Sequence, residues 1–130
     1  SNGSVSDGGY DFIVGKHHDD FKALNVFSFD NYDKLIPREQ EDILNLLKSN
    51  TLTYKDIKSI EKSKLRILPA LGDKTQTKIN VHGGTNSYTD SKGCFTIYGM
   101  DWGSNTPQKD YKKFIDRFNF NQLGKIYIIR

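Results

Sequence analysis

Cysteine occurs once in the 130 residues, at Cys94. A lone cysteine excludes an intramolecular disulfide and any multi-cysteine zinc site, which leaves a buried small hydrophobe or a reactive thiol. Long apolar runs are missing too: none approaches the ~20 residues that a membrane-crossing helix needs, so no membrane span is expected. A marked excess of one charge is also absent, with 19 Lys and Arg against 16 Asp and Glu, a formal net charge of +3. The lysines are spread over several segments without forming the concentrated basic stripe that nucleic-acid binding usually requires, so no nucleic-acid partner is expected. The start lacks the basic lead and apolar centre of a signal peptide. Residues 1–9, small, polar and glycine-rich, are expected to be a flexible segment or tag remnant. With no internal repeat and no low-complexity linker after residue 9, residues 10–130 are expected to form a single domain with one core.

What is present is a succession of short strands and helices. Residues 10–14 are aromatic and β-branched and predict a first strand; His17, His18, Asp19 and Asp20 then crowd polar and charged groups into a solvated turn. Adjacent histidines diverge in either regular structure, and metal ligands are usually spaced, so no metal is expected there. Residues 23–29 alternate as a strand packed on both faces, and Asp30, Asn31 and Asp33 break it. Pro37 at a first helical position, Glu39, Glu41 and Asp42 in the first turns, and the stripe Ile43, Leu44, Leu46, Leu47 predict a helix over 37–49. Thr53 with Asp56 resembles a capping box opening a more polar helix to about Lys62, whose lysines Lys55, Lys58, Lys62 and Lys64 read as a solvated face. Residues 65–68 read as a strand stopped by Pro69, residues 72–77 as a polar turn, and residues 78–82 as a returning strand, its antiparallel neighbour. Thr106 and Pro107 open a third helix, whose Tyr111, Phe114, Ile115 and Phe118 make a core-facing side, and residues 126–129 form a last strand.

Between these lies residues 79–97: a strand ending on His82, the pair Gly83 and Gly84, a polar loop, and a short strand introduced by Gly93 and Cys94. A thiol and an imidazole at the edges of rigid elements are the nucleophile and base that cysteine acyl transfer needs. Gly93 removes a side chain that would shield the thiol and leaves consecutive backbone N–H groups for a developing oxyanion. His82 can take the thiol proton, and its imidazolium then lowers the thiol pKa. The carbonyl of Gly83, or Ser91, is available to orient the other ring nitrogen. Spacing alone divides evenly between this and a core cysteine.

The pattern His82-Gly83-Gly84 followed by Ser91-Lys92-Gly93-Cys94-Phe95 resembles the signature of the L,D-transpeptidase (YkuD-like) family, over about residues 79–98. The short loop, the later aromatic helix and the closing strand resemble most the compact branch that includes type VI secretion effectors acting on peptidoglycan. The resemblance implies an α+β, mostly β catalytic domain, an L,D-transpeptidase-like β-sandwich or barrel sheet with about three helices. It implies Cys94 as nucleophile, His82 as base, the backbone at Gly93 and Cys94 as oxyanion hole, and Gly83 beside the base. Ser91, Lys92, Gly84 and the loop aromatic Trp102 are the expected substrate contacts. The substrate would be the tetrapeptide stem of peptidoglycan, processed through a thioester by transpeptidation, carboxypeptidase cleavage or D-amino-acid exchange, with no cofactor and no metal. The expected site of action is the periplasm or cell envelope, after secretion into a target cell if the protein is an antibacterial toxin, in which case an immunity protein is a further partner. The chain departs from the family at Thr96 and Ile97, where many members carry an arginine or asparagine. An inactive cell-wall-binding module with a structural cysteine is the alternative. A papain-like or NlpC-type peptidase ranks below both, because its cysteine precedes its histidine.

Overall fold

The computed structural model describes residues 5–18, 21–83, 95–97 and 109–129. Seven strands are found among them: β1 (Gly8–His17), β2 (Phe21–Phe27), β3 (Leu68–Ala70), β4 (Lys74–Gln76), β5 (Asn80–Gly83), β6 (Phe95–Ile97) and β7 (Leu123–Ile128). Three α-helices accompany them, α1 (Pro37–Lys48), α2 (Tyr54–Ile57) and α3 (Lys109–Ile115), with 3-10 turns at Phe29–Lys34 and Lys62–Arg66. The class is α+β. Five strands form one sheet in the order β6-β5-β2-β1-β7, antiparallel except for the parallel pair β5–β6, and β3–β4 is a separate hairpin. The described strands form an open sheet with no closed barrel.

The two-residue period of the central strands decides what covers each side. Tyr10, Phe12, Val14, Leu24, Val26 and Val81 enter one core with Leu68, Ile79, Tyr111, Ile115 and Ile128. Ile13 and Phe27, one residue out of phase, enter a second core with Leu35, Ile43, Leu52, Ile57 and Leu65. α3 and the hairpin thus cover one face, and α1, α2 and the 3-10 turns cover the other. Along the second face the strand positions change character, from Ile13 and Phe27 to Asn25, Asn80, His17 and His82.

Several elements form as their local chemistry dictates. Pro37 starts α1, and the Thr53–Asp56 capping box is complete on both sides. Ile43 is buried in α1, whereas Leu44, counted in its apolar stripe, is exposed.

Others depart from expectation. β1 opens at Gly8, and Val5 is fully buried and bridges Ala70, so the ordered chain reaches back into residues 1–9. α2 ends at Ile57 and does not run to Lys62, and Lys62 is buried, held between Glu39 and Asp42 instead of lying on a solvated face. Residues 62–66 wind into a 3-10 turn in place of the expected strand, with the adjacent side chains Leu65 and Arg66 both buried. β3 runs through Pro69: a proline lacks the N–H but keeps its carbonyl, which here accepts from the Ser6 N–H at 2.9 Å. The expected pairing of residues 65–68 with 78–82 is replaced by β3 with β4, and β5 pairs with β2. Residues 106–108 lie outside the described residues, but the expected aromatic face is present, with Tyr111 and Ile115 buried and Phe114 and Phe118 packed beside them.

Gly15 is required by packing. A Cβ there would lie 2.0 Å from Asn25 Oδ1 and 2.6 Å from the Cβ and Cγ of Tyr54. Gly15→Ala is expected to cost about 2 kcal/mol, because both neighbours are held and neither is the free end of a flexible chain. Urea unfolding with an unchanged midpoint would contradict this.

Candidate active site

His82 is the third residue of β5 and only 6% exposed. β5 is placed by β2 on one side, with Leu24 opposite Val81 and Asn25 opposite Asn80. On its other side runs β6, in parallel register: Val81 is level with Phe95, His82 with Thr96 and Gly83 with Ile97. Gly83 therefore closes the strand directly after the histidine. Gly84, Ser91, Lys92, Gly93, Cys94 and Trp102 lie outside the described residues.

The three histidines of the chain come together. His17, the last residue of β1, stacks on His82 with ring centroids 4.0 Å apart and planes 9° from parallel. His18 lies 4.0 Å from His17 on its other contact, tilted by 58°. Its positive φ of 53° turns the chain out of β1. The expected solvated turn at 17–18 is thus half correct: His18 is exposed, but His17 extends the strand and is half-buried. Metal ligation needs ring nitrogens whose in-plane lone pairs converge on one point. Parallel stacked rings direct them into separate planes, and among the described residues no group of three or more His, Cys, Asp or Glu is arranged to hold a metal ion.

Beneath the rings lies a buried amide network. Asn25 Nδ2 donates to the Lys16 carbonyl at 3.1 Å and to Asn80 Oδ1 at 2.7 Å. Arg66 donates to the same Asn80 oxygen at 2.8 Å and to the carbonyls of Val26 and Ile79. Asn80 Nδ2 lies 3.1 Å from His17 Nδ1. Lys58, from the end of α2, donates to the Lys16 carbonyl at 2.7 Å. None of His17, Asn25, Arg66 and Asn80 stood out as a site residue in the sequence. The available signal was an asparagine set between apolar residues at two places, Asn25 between Leu24 and Val26 and Asn80 between Ile79 and Val81, a residue type depleted in strands unless it is bonded.

Burial is the main cause that lowers the His17 pKa from 6.5 to about 4, helped by the neighbouring His82, His18 and Lys58. Between those values the unfolded chain binds a proton that the folded chain does not. The stability contribution is therefore complete above about pH 6.5 and is lost as the pH falls toward 4. The urea midpoint is expected to fall between pH 7.5 and pH 5, and to fall less in His17→Phe. Equal falls in both proteins would assign the acid sensitivity elsewhere.

Together these residues offer a buried imidazole held at a strand end, beside the strand that Cys94 precedes in the sequence. Compared with known protein families, curated proteins and solved structures, the chain matches none.

Proposed function

We propose that this chain is a cysteine-dependent, peptidoglycan-modifying enzyme of the L,D-transpeptidase type, with Cys94 as nucleophile and His82 as base. The observation that carries the proposal is the register of β5 and β6. Phe95, the residue after Cys94, is level with Val81, the residue before His82, and neighbouring strands are about 4.8 Å apart. A buried imidazole on one of two such strands, and a thiol on the residue leading into the other, suit a proton transfer between them.

In this reaction Cys94 Sγ gives its proton to His82 and attacks the carbonyl carbon of a stem-peptide bond. The tetrahedral oxyanion is received by the backbone N–H groups of Gly93 and Cys94. The carbon–nitrogen bond then breaks, His82 returns the proton to the leaving amine, and a thioester remains. Water or a second amine attacks the thioester, passing its proton to His82 and restoring the thiol. Ser91, Lys92, Gly84 and Trp102 are the proposed contacts to the stem, and the fold is proposed to be the L,D-transpeptidase-like sheet. The periplasm or cell envelope is the proposed place of action. An antibacterial effector role, with an immunity protein as partner, is the extension that the compact-branch resemblance supports.

The test is incubation with purified muropeptides and mass analysis of the products, for the wild-type chain and for Cys94→Ala. Loss of D-alanine would identify hydrolysis, and its replacement by another D-amino acid would identify transfer. No change with any tetrapeptide stem would overturn the proposal.

A further inference from the structure

We infer that His17 is a positioning residue for His82: a neutral imidazole, locked in one tautomer by Asn80, against which the ring of the base is held. This rests on reading His82 as the base.

The tautomer follows from groups whose hydrogen-bonding roles are fixed. The Lys16 carbonyl can only accept, so the atom of Asn25 that meets it is the amide nitrogen, and the same nitrogen donates to Asn80. Arg66 can only donate. The Asn80 atom that receives both Asn25 and Arg66 is therefore its oxygen, and the atom left facing His17 Nδ1 is its NH2 group. That nitrogen of His17 must then accept, which places the ring proton on Nε2. A second proton on Nδ1 would set N–H against N–H.

The stack gives the tautomer its consequence. Two imidazoles with centroids 4.0 Å apart and nearly parallel planes cannot both carry charge without strong repulsion. Asn80 settles which ring stays neutral, so the proton released by a thiol goes to His82. The groups facing His17 from its surroundings, His82 on β5, His18 in the turn and Lys58 at the end of α2, add only further reasons for it to remain uncharged. The ring also occupies one whole face of His82, which fixes the imidazole plane, and such second contacts set how well a base is aimed.

Two measurements on the full chain test this. The first is 15N-resolved NMR of the imidazoles across pH 8 to 5. His17 is expected to stay in the Nε2–H form throughout in the wild type and to acquire an Nδ1 proton in Asn80→Asp, whose carboxylate accepts where the amide donated. An Nδ1–H or charged His17 at pH 7 in the wild type overturns the inference. The second is the rate of iodoacetamide labelling of Cys94 as a function of pH. His17→Ala is expected to slow labelling near pH 7 by about fivefold, less than removal of the base itself, and His17→Phe, which keeps an uncharged ring in the stack, to restore it to within about twofold. If His82→Ala slows labelling while His17→Ala leaves the wild-type profile, His82 stands as the base and the positioning role falls. If His82→Ala itself changes nothing, the base reading fails and the positioning role goes with it, while the tautomer is decided by the NMR alone.

Discussion

Arg66→Ala is expected to lower the unfolding free energy by about 4 kcal/mol, because three hydrogen bonds to a charged group are lost and their buried acceptors are left unsatisfied, and the thermal midpoint by roughly 10–15 °C. Arg66 is 4% exposed, and its guanidinium joins three parts of the chain: its own 3-10 turn, β2 through the Val26 carbonyl, and the start of β5 through the Asn80 amide and the carbonyl of the preceding Ile79. Hydrogen bonds to a charged group contribute about 1.5–3 kcal/mol each, and the acceptors left behind cannot reach water without a shift of the strands. Arg66→Met separates the two components, since it keeps most of the volume and none of the donors. If hydrogen bonding dominates, it remains within about 1 kcal/mol of the alanine variant. Arg66→Lys is expected to fall between the wild type and these two variants, because one ammonium keeps some of the donors but cannot reproduce the fork. A loss below about 1 kcal/mol for Arg66→Ala, read from chemical denaturation, would show that water replaces the donors.

That role for Arg66 was not readable from the residue itself. In the sequence it sits in the alternating run Leu65-Arg66-Ile67-Leu68, where a strand with an outward arginine is the natural expectation. Its burial depends on acceptors supplied by Val26, Ile79 and Asn80, which only the assembled sheet brings close. The same holds for Asn25 and Asn80, bonded across 55 residues of sequence, and for His17 and Asn80, across 63. Local chemistry identified what it controls. Pro37 fixed the start of α1, Thr53 and Asp56 built their capping box, and the spacing of Tyr111, Phe114 and Ile115 marked the inner side of α3, with Phe118 packed beside them beyond its end. Partner choice escaped it. Nothing in residues 65–82 distinguishes β5 pairing with β3 from β5 pairing with β2, because both alternatives bury the same alternate residues. The place of His82 near the end of a strand was legible because two glycines follow it in the sequence. His17 was not, because two adjacent histidines followed by two aspartates resemble a solvated turn until a second ring is found against the first.

The remaining large effect concerns the pair His82 and Cys94. On the proposed mechanism Cys94→Ala removes the atom that forms the thioester, and no product above background is expected from any muropeptide. His82→Ala leaves the nucleophile but removes its base, for which a loss of about 10²–10⁴-fold in turnover is expected. Thiol labelling isolates the same interaction without a substrate, and the chain's single cysteine makes the signal unambiguous. A thiol paired with an imidazole labels quickly near neutral pH and keeps its rate as the pH falls. An unassisted thiol follows the ordinary cysteine pKa of about 8.5. His82→Ala is therefore expected to slow labelling at pH 7 by about tenfold, less than the fall in thiolate alone because a less acidic thiolate is intrinsically more nucleophilic, and to move the profile toward alkaline pH. The cell-wall-binding alternative makes the opposite prediction: a core cysteine labels slowly in both proteins, and the histidine has no influence on it. Slow, equal labelling with normal folding by circular dichroism would decide for that alternative, and His82 would then be a buried member of an imidazole stack with no thiol to serve.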